Sequence, residues 1–246
     1  MKKIFILLII STSILLLVGS CDKENYPEPD AQFFGAIKDS LGGELVQTEI
    51  VNGNTIGAYQ QGLATPVLIT WFVQHTGEFR NNLVYSNMYD IAFTNVNFFP
   101  YEVKNFGMVP GANEHDFYVT PYIRIKNYQI VNNTAVDSTI SVTFTLEPGR
   151  STVRLSRTTL FAYSDMFVGN AARFTIAAGS GTPTRTYSPV ATINPATTYT
   201  LSIDLRANRA SFKPGKSYYF RVGVQASQTG VGTIRYNYAP PVKFTF

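Results

Sequence analysis

The chain has 246 residues, 45% hydrophobic and 14% aromatic, and a net charge of +4 that falls to +2 once Lys2 and Lys3 are set aside. The single cysteine has no disulfide partner within the chain and, with only two histidines present, no cluster of metal-ligating cysteines to join. A body of roughly 220 residues is enough for one large or two ordinary domains.

The first element is a leader. Lys2 and Lys3 precede a run from Ile4 to Val18 that is broken only by Ser11, Thr12 and Ser13. Fifteen helical residues would span about 22 Å, short of the roughly 30 Å hydrocarbon core, so a secretory signal is expected rather than a transmembrane anchor. Leu17-Val18-Gly19-Ser20-Cys21 resembles the bacterial lipobox, in which small residues fit the signal peptidase and the thiol becomes a thioether to diacylglycerol. Residues 1–20 are therefore expected to be removed, leaving Cys21 as the lipidated first residue and the membrane as a partner through that anchor. Residues 21–32 follow as a polar tether with Pro27 and Pro29 and no periodicity.

Beyond the tether the chain reads as strands. Gly and Pro total 31, and no window carries a 3.6-residue apolar repeat. Period-two runs recur instead: Val67, Ile69, Trp71 and Val73; Ile140, Val142, Phe144 and Leu146; Tyr199, Leu201, Ile203 and Leu205; Tyr218, Phe220, Val222, Val224 and Ala226; Val242, Phe244 and Phe246. Such runs mark half-buried strands of antiparallel sheets. Turns are expected at Ser40-Leu41-Gly42-Gly43, Asn52-Gly53-Asn54, Thr76-Gly77 and Lys213-Pro214-Gly215. The reading is an all-β chain of two consecutive antiparallel β-sandwich domains, residues 33–123 and 124–246, dividing near Pro121.

Several stretches resemble a known family. Cys21-Asp22-Lys23-Glu24-Asn25-Tyr26-Pro27-Glu28-Pro29 is similar to the mature start of a lipoprotein family, a domain of unknown function often encoded beside starch-utilisation-system-like (Sus-like) glycan-uptake genes. Gly35-Ala36-Ile37-Lys38-Asp39, Gly77-Glu78-Phe79-Arg80-Asn81, Tyr85 and Tyr89 resemble its first domain, a transthyretin-like or carboxypeptidase-regulatory-like sandwich, although Asn87-Met88-Tyr89 replaces the usual Gly-x-Tyr. The stretch from Asp116 to Ile125 resembles its domain junction. Gly230-Val231-Gly232-Thr233-Ile234-Arg235-Tyr236-Asn237-Tyr238 resembles the end of its immunoglobulin- or fibronectin-like second domain. The resemblance implies an outer-membrane, cell-surface lipoprotein associated with carbohydrate uptake, with Sus-like transporter subunits as partners. Asp22-Lys23-Glu24 is similar to the charged signal for surface export. Ser40 in Asp39-Ser40-Leu41 and Ser138 in Asp137-Ser138-Thr139 look like O-glycosylation acceptors of such proteins.

No catalytic constellation is expected. His75-Thr76-Gly77-Glu78 has the His-x-x-Glu spacing of zinc carboxypeptidases, with His115 as a conceivable third ligand, but those enzymes use an α/β scaffold and His75 reads as a turn residue. Neither glycine-containing loop, at 168–170 or 178–183, leads into a helix bearing Lys-Ser or Lys-Thr, so no phosphate cradle is expected. The reading is therefore not an enzyme, with no metal and no cofactor. Glycan binding would need exposed aromatic faces. Trp71 alternates with core positions, so Phe98, Phe99 and Tyr101 in Asn97-Phe98-Phe99-Pro100-Tyr101 are the candidate ligand-binding residues.

Charge divides the body. Residues 22–123 hold 4 bases and 12 acids, net −8; residues 124–246 hold 14 bases and 4 acids, net +10, and ten of those bases are arginines. An acidic polysaccharide, an anionic membrane or transporter surface, or mutual attraction of the domains would each use that imbalance; nucleic acid does not fit a surface location. The expected role is a non-catalytic accessory that binds glycan or scaffolds a Sus-like uptake system, the alternative being a docking module that touches no sugar.

Overall fold

The computed structural model describes residues 27–135 and 137–246. The leader, Cys21 and the start of the tether lie outside the described residues. Sixteen strands and no helix follow one another within them: β1 (Ala31–Asp39), β2 (Thr55–Gln60), β3 (Leu68–Phe72), β4 (Glu78–Val84), β5 (Asn87–Ala92), β6 (Glu102–Met108), β7 (Gly111–Glu114), β8 (Phe117–Val119), β9 (Ile123–Asn132), β10 (Thr139–Pro148), β11 (Arg154–Tyr163), β12 (Thr184–Thr192), β13 (Tyr199–Asp204), β14 (Ser217–Ser227), β15 (Asn237–Tyr238) and β16 (Val242–Thr245).

Two sandwiches result. In the first, a sheet ordered β4-β1-β7, with β8 also on β1, faces a sheet ordered β3-β2-β5-β6. Phe33, Ile37, Ile56, Trp71, Phe79, Tyr89 and Ile91 fill the space between them. In the second, β13-β10-β9 faces β12-β11-β14, and β14 also pairs with β15 and β16. The alternation read from the sequence holds here. Ile140, Val142, Phe144 and Leu146 of β10, the odd-numbered positions 199–205, and the even-numbered positions 218–226 of β14 are buried in one core. Period two turns every second side chain to the same face, so these runs settle the facing of their strands.

Two features depart from expectation. Val67 and Ile69 are 66% and 37% exposed, while Trp71 and Val73 are buried. Val67 precedes and Ile69 lies early in an edge strand, β3, whose core-facing side is covered only from Trp71 onward. The first sheet is also not wholly antiparallel: β1 pairs in parallel with β7 through Ala31–Phe34 and with β8 through Ile37–Asp39. Its two halves thus take up two successive short strands, and the two-residue step between them brings the His115 carbonyl against Gly35, where a Cβ would sit 1.9 Å from that oxygen.

Candidate functional site

The domains meet along a buried polar seam. Asn97, fully buried, donates through Nδ2 to the carbonyls of Gln47 (2.7 Å) and Tyr236 (3.0 Å) and accepts from Asn54 Nδ2 at 2.7 Å. Asn237 donates to the Asn97 carbonyl at 2.7 Å and accepts from the Ile123 amide at 3.2 Å. Asparagine suits this task because one planar amide satisfies donors and acceptors on two backbones at once.

Arg221 is the largest fully buried side chain among the described residues. Its guanidinium donates to Ala239 O (2.8 Å), Val168 O (3.2 Å), Gln47 Oε1 (3.0 Å) and His75 O (3.1 Å), and lies 4.4 Å from the Tyr238 ring centre. Two of those acceptors belong to the first domain. Burial lowers its pKa to about 10, so it stays charged at neutral pH. Nearby, Glu49 accepts the Ala171 amide at 2.8 Å, and the Tyr238 hydroxyl accepts the Asn170 amide at 3.0 Å. His75 packs edge-on against Phe167, 5.1 Å between centres. Burial, and then Arg221, push its imidazole below the usual range. His115 stands elsewhere, on Phe106 and Phe117, so the two histidines do not share a site.

Outside this seam a cleft of about 510 Å³ opens between the domains. Asp39, Glu44 and Leu45 form one wall, Arg124, Ile125, Lys126 and Tyr128 the other, and Ala239 and Pro240 the back. Two ion pairs cross it. Arg124 grips Asp39 with both Nε and Nη2, and both side chains are under 10% exposed. Lys126 Nζ reaches Glu44 Oε1 at 3.1 Å nearer solvent. Asn127 shapes the wall. It adopts φ +51° where β9 slips register against β10 between Thr143 and Thr145. Such a bulge re-aims the residues around it, here Lys126 and Tyr128, which both line the cleft. The volume lies within the range of ligand sites, and apolar walls with a few fixed polar groups are what orient a small polar ligand.

The aromatic trio picked from the sequence is not brought to this cleft. Phe98 is fully buried against Phe93 (5.5 Å), and Phe99 is 8% exposed, between Tyr122 and the Arg150 guanidinium, 3.8 Å from its ring centre. Tyr101 is half-buried and stacked on Phe93 at 4.9 Å, where burial pushes its phenol well up. Their faces are occupied by packing, which corrects the expectation that Phe98 and Phe99 meet a ligand. Ser40 is exposed, 3.4 Å from Thr120 Oγ1, and Ser138 is partly exposed, accepting from Arg206 at 3.3 Å. Of the ten arginines counted above, four are drawn into the seam: Arg124, Arg221, Arg150 on Phe99, and Arg235 on the Asn95 carbonyl. Among the described residues, opposite charges of the two domains meet at the junction in the Arg124–Asp39 and Lys126–Glu44 pairs, while the other three arginines meet uncharged partners there. Tyr128 and Lys126 escaped the sequence reading; the asparagine that interrupts an alternating run at 127 is the signal that could have found them.

The ion pairs give the junction a pH dependence. Burial pushes Asp39 up, but Arg124, the Leu41 amide and Lys126 together outweigh it and hold the carboxyl below its ordinary range. A depressed carboxyl adds stability above its unfolded pKa, about 4, and loses it as pH falls through the folded value. Burial raises Glu49 instead, so its contribution is complete below its unfolded pKa and lost as pH rises through the folded one. Melting temperatures from pH 3 to 7 should show Asp39→Asn destabilised at pH 7 and near wild type at the acid end. Glu49→Gln should be stabilised at pH 7, with the gain vanishing in acid. Matching shifts of either variant at both ends would refute the assignment.

A family profile described as "Domain of unknown function (DUF3823_C)" matches residues 123–243. A structure from Bacteroides uniformis, named for a proposed role in carbohydrate binding, is 44% identical, covers 89% of this chain and 100% of its own, and superposes with a TM-score of 0.84. A DUF3823 family protein from Parabacteroides merdae is 21% identical, with coverages of 89% and 100% and a TM-score of 0.68. Another from Bacteroides ovatus is 17% identical, with coverages of 87% and 97% and a TM-score of 0.65; these two share the fold. No curated protein matches the sequence. Residues 123–243 therefore form a domain of the DUF3823_C family, and the 44% identical relative matches this chain over 89% of its length.

Proposed function

We infer that this protein is a non-catalytic glycan-binding accessory of a Sus-like polysaccharide uptake system, anchored through Cys21 at the outer membrane. The observation that carries the reading is the interdomain cleft. Its walls alternate apolar surface, from Leu45, Ile125 and Tyr128, with fixed charges that can bond hydroxyls. A sugar ring presents those same two faces. The 44% identical relative named for carbohydrate binding supports the class of ligand. The acids of the cleft support a binding role rather than hydrolysis: Asp39 is held by Arg124 and Glu44 by Lys126, so neither is a free proton donor or nucleophile.

The mature chain, applied to an array of neutral and acidic polysaccharides, should retain at least one. Tyr128→Ala should weaken that binding about tenfold, the worth of roughly 1.4 kcal/mol of ring contact. Lys126→Ala should weaken it less and relax preference among acidic glycans. Retention of no glycan, or equal retention by the Tyr128 variant, would sink the assignment of the cleft.

A further inference from the structure

We propose that the free end of the first domain is a membrane-seated foot, which enters the lipid headgroup region beside the anchor and points the cleft and second domain away from the bilayer. The proposal rests on the lipid-anchor reading of Cys21.

The chain enters the fold at Asp30 and Ala31. Asp30 accepts two bonds from Ser86, both 2.7 Å, and its carbonyl accepts the Gly111 amide at 2.8 Å. Ala31 is paired with Val84 on one side and Gly111 on the other. The turns at 85–86 and 109–110 therefore flank the incoming chain. The β2–β3 loop, residues 61–67, lies at the same end, since the Gln61 amide bonds Met88 O at 2.9 Å and Asn87 Nδ2 bonds Gln61 O at 3.1 Å.

These three loops carry no charged residue. They expose Leu63 (50%), Val67 (66%), Tyr85 (37%) and Val109 (62%), and the strand ends beside them expose Leu83 of β4 (75%) and Met88 of β5 (40%). Scattered apolar side chains are ordinary on a protein surface, but a cluster at one pole is not. The opposite pole of the same sandwich is occupied: Asn95 and Asn97 bond Thr233, Tyr236 and Asn237 of the second domain.

What covers the free pole follows from where the chain comes in. Nine residues separate Cys21 from Ala31, a reach of roughly 30 Å at full extension. An acyl anchor on Cys21 thus keeps this pole, rather than the distant second domain, within reach of the bilayer. The diacylglycerol on Cys21 supplies the anchorage, and apolar side chains entering the interface add a second contact that orients the body without charge. Since the three loops carry no bases, and Lys104 beside them is paired with Asp90 and Glu102, the seating should depend little on salt and on anionic lipid, unlike that of a basic patch.

The test uses the full mature, acylated chain in vesicles of phosphatidylethanolamine and phosphatidylglycerol. The thiol of Cys21 is consumed by acylation, so Leu83→Cys, Val109→Cys and Arg209→Cys each offer one site for an environment-sensitive fluorophore. With brominated acyl chains in the vesicles, probes at 83 and 109 should lose most of their fluorescence, equally at low and high salt, and the probe at 209 should keep it. Acylated protein whose probes at 83 and 109 stay bright overturns the proposal alone. Bright probes that are nonetheless shielded from soluble iodide in isolated cell envelopes would assign the pole to a protein partner and overturn it too. Mass spectrometry that finds no acyl chains on Cys21 overturns the anchor reading, and the proposal with it.

Discussion

Replacing Arg221 with methionine is expected to lower the melting temperature by roughly 10 °C. Methionine approximates the side-chain length and removes the charge, so loss of volume is not the main effect. The four acceptors left behind decide the outcome: Ala239 O, Val168 O, His75 O and Gln47 Oε1. Each buried acceptor deprived of its donor costs about 1–3 kcal/mol, and partial hydration brings the sum to about 3–5 kcal/mol. For a chain of this size each kcal/mol is worth about 2–4 °C. A hydrophobic replacement can match a buried ion pair when both charges are replaced; here three of the partners are backbone carbonyls that no substitution removes. Arg221→Lys should recover only part of the loss, since an ammonium lacks the planar fork that reaches both domains at once. Calorimetry of the three proteins checks this. A methionine variant that melts within about 2 °C of wild type would show that the seam does not depend on this side chain.

Gly35→Ala is expected to do still more damage, to the point of preventing soluble expression. The added carbon would stand 1.9 Å from the His115 carbonyl oxygen and 2.7 Å from its carbon. Both are backbone atoms, and His115 is fixed there by its amide's bond to Phe34 O at 3.0 Å. Relief would require β1 to part from β7 or β8, the pairings that close one sheet of the first sandwich. Overpacking usually costs about 1–3 kcal/mol when side chains can yield; with backbone on both sides the cost should exceed that range. Gly215→Ala is the control. Gly215 has φ +72° and nothing within 4 Å of its would-be Cβ, so only the left-handed backbone penalty of about 1–2 kcal/mol applies. If the two variants melt alike, the close approach at Gly35 is not the constraint proposed.

Gly35 and Arg221 also mark where local sequence stops informing. The all-β class and the facing of β10, β13 and β14 were legible, because period-two burial is a local property: Leu201 and Ile203, or Val222 and Val224, declare a buried face without reference to any partner. The same alternation turns Arg221 to the opposite face of β14. On sequence grounds that face belongs to solvent, and Arg221 is one of the ten arginines counted toward the second domain's positive charge. Docking of the first domain's His75 and Gln47 on that face makes it interior, a decision taken by residues 146 and 174 positions away. Phe98 and Phe99 show the reverse case. Asn-Phe-Phe-Pro offers aromatics as ligand candidates, yet Phe98 packs on Phe93 in the first core and Phe99 lies between Tyr122 and Arg150 at the junction. The parallel pairing of β1 with β7 and β8 was likewise invisible, because alternation fixes a strand's face and says nothing of its neighbours' direction. The cleft depends on all of these at once. Asp39 with Arg124, and Glu44 with Lys126, are each more than 80 residues apart, and only the packing of one sandwich on the other brings them into Coulombic reach. Sequence by itself determined the strands and which side of most of them is apolar; the tertiary structure decided which polar sides meet, since that is set by contacts between surfaces rather than by the order of residues within one.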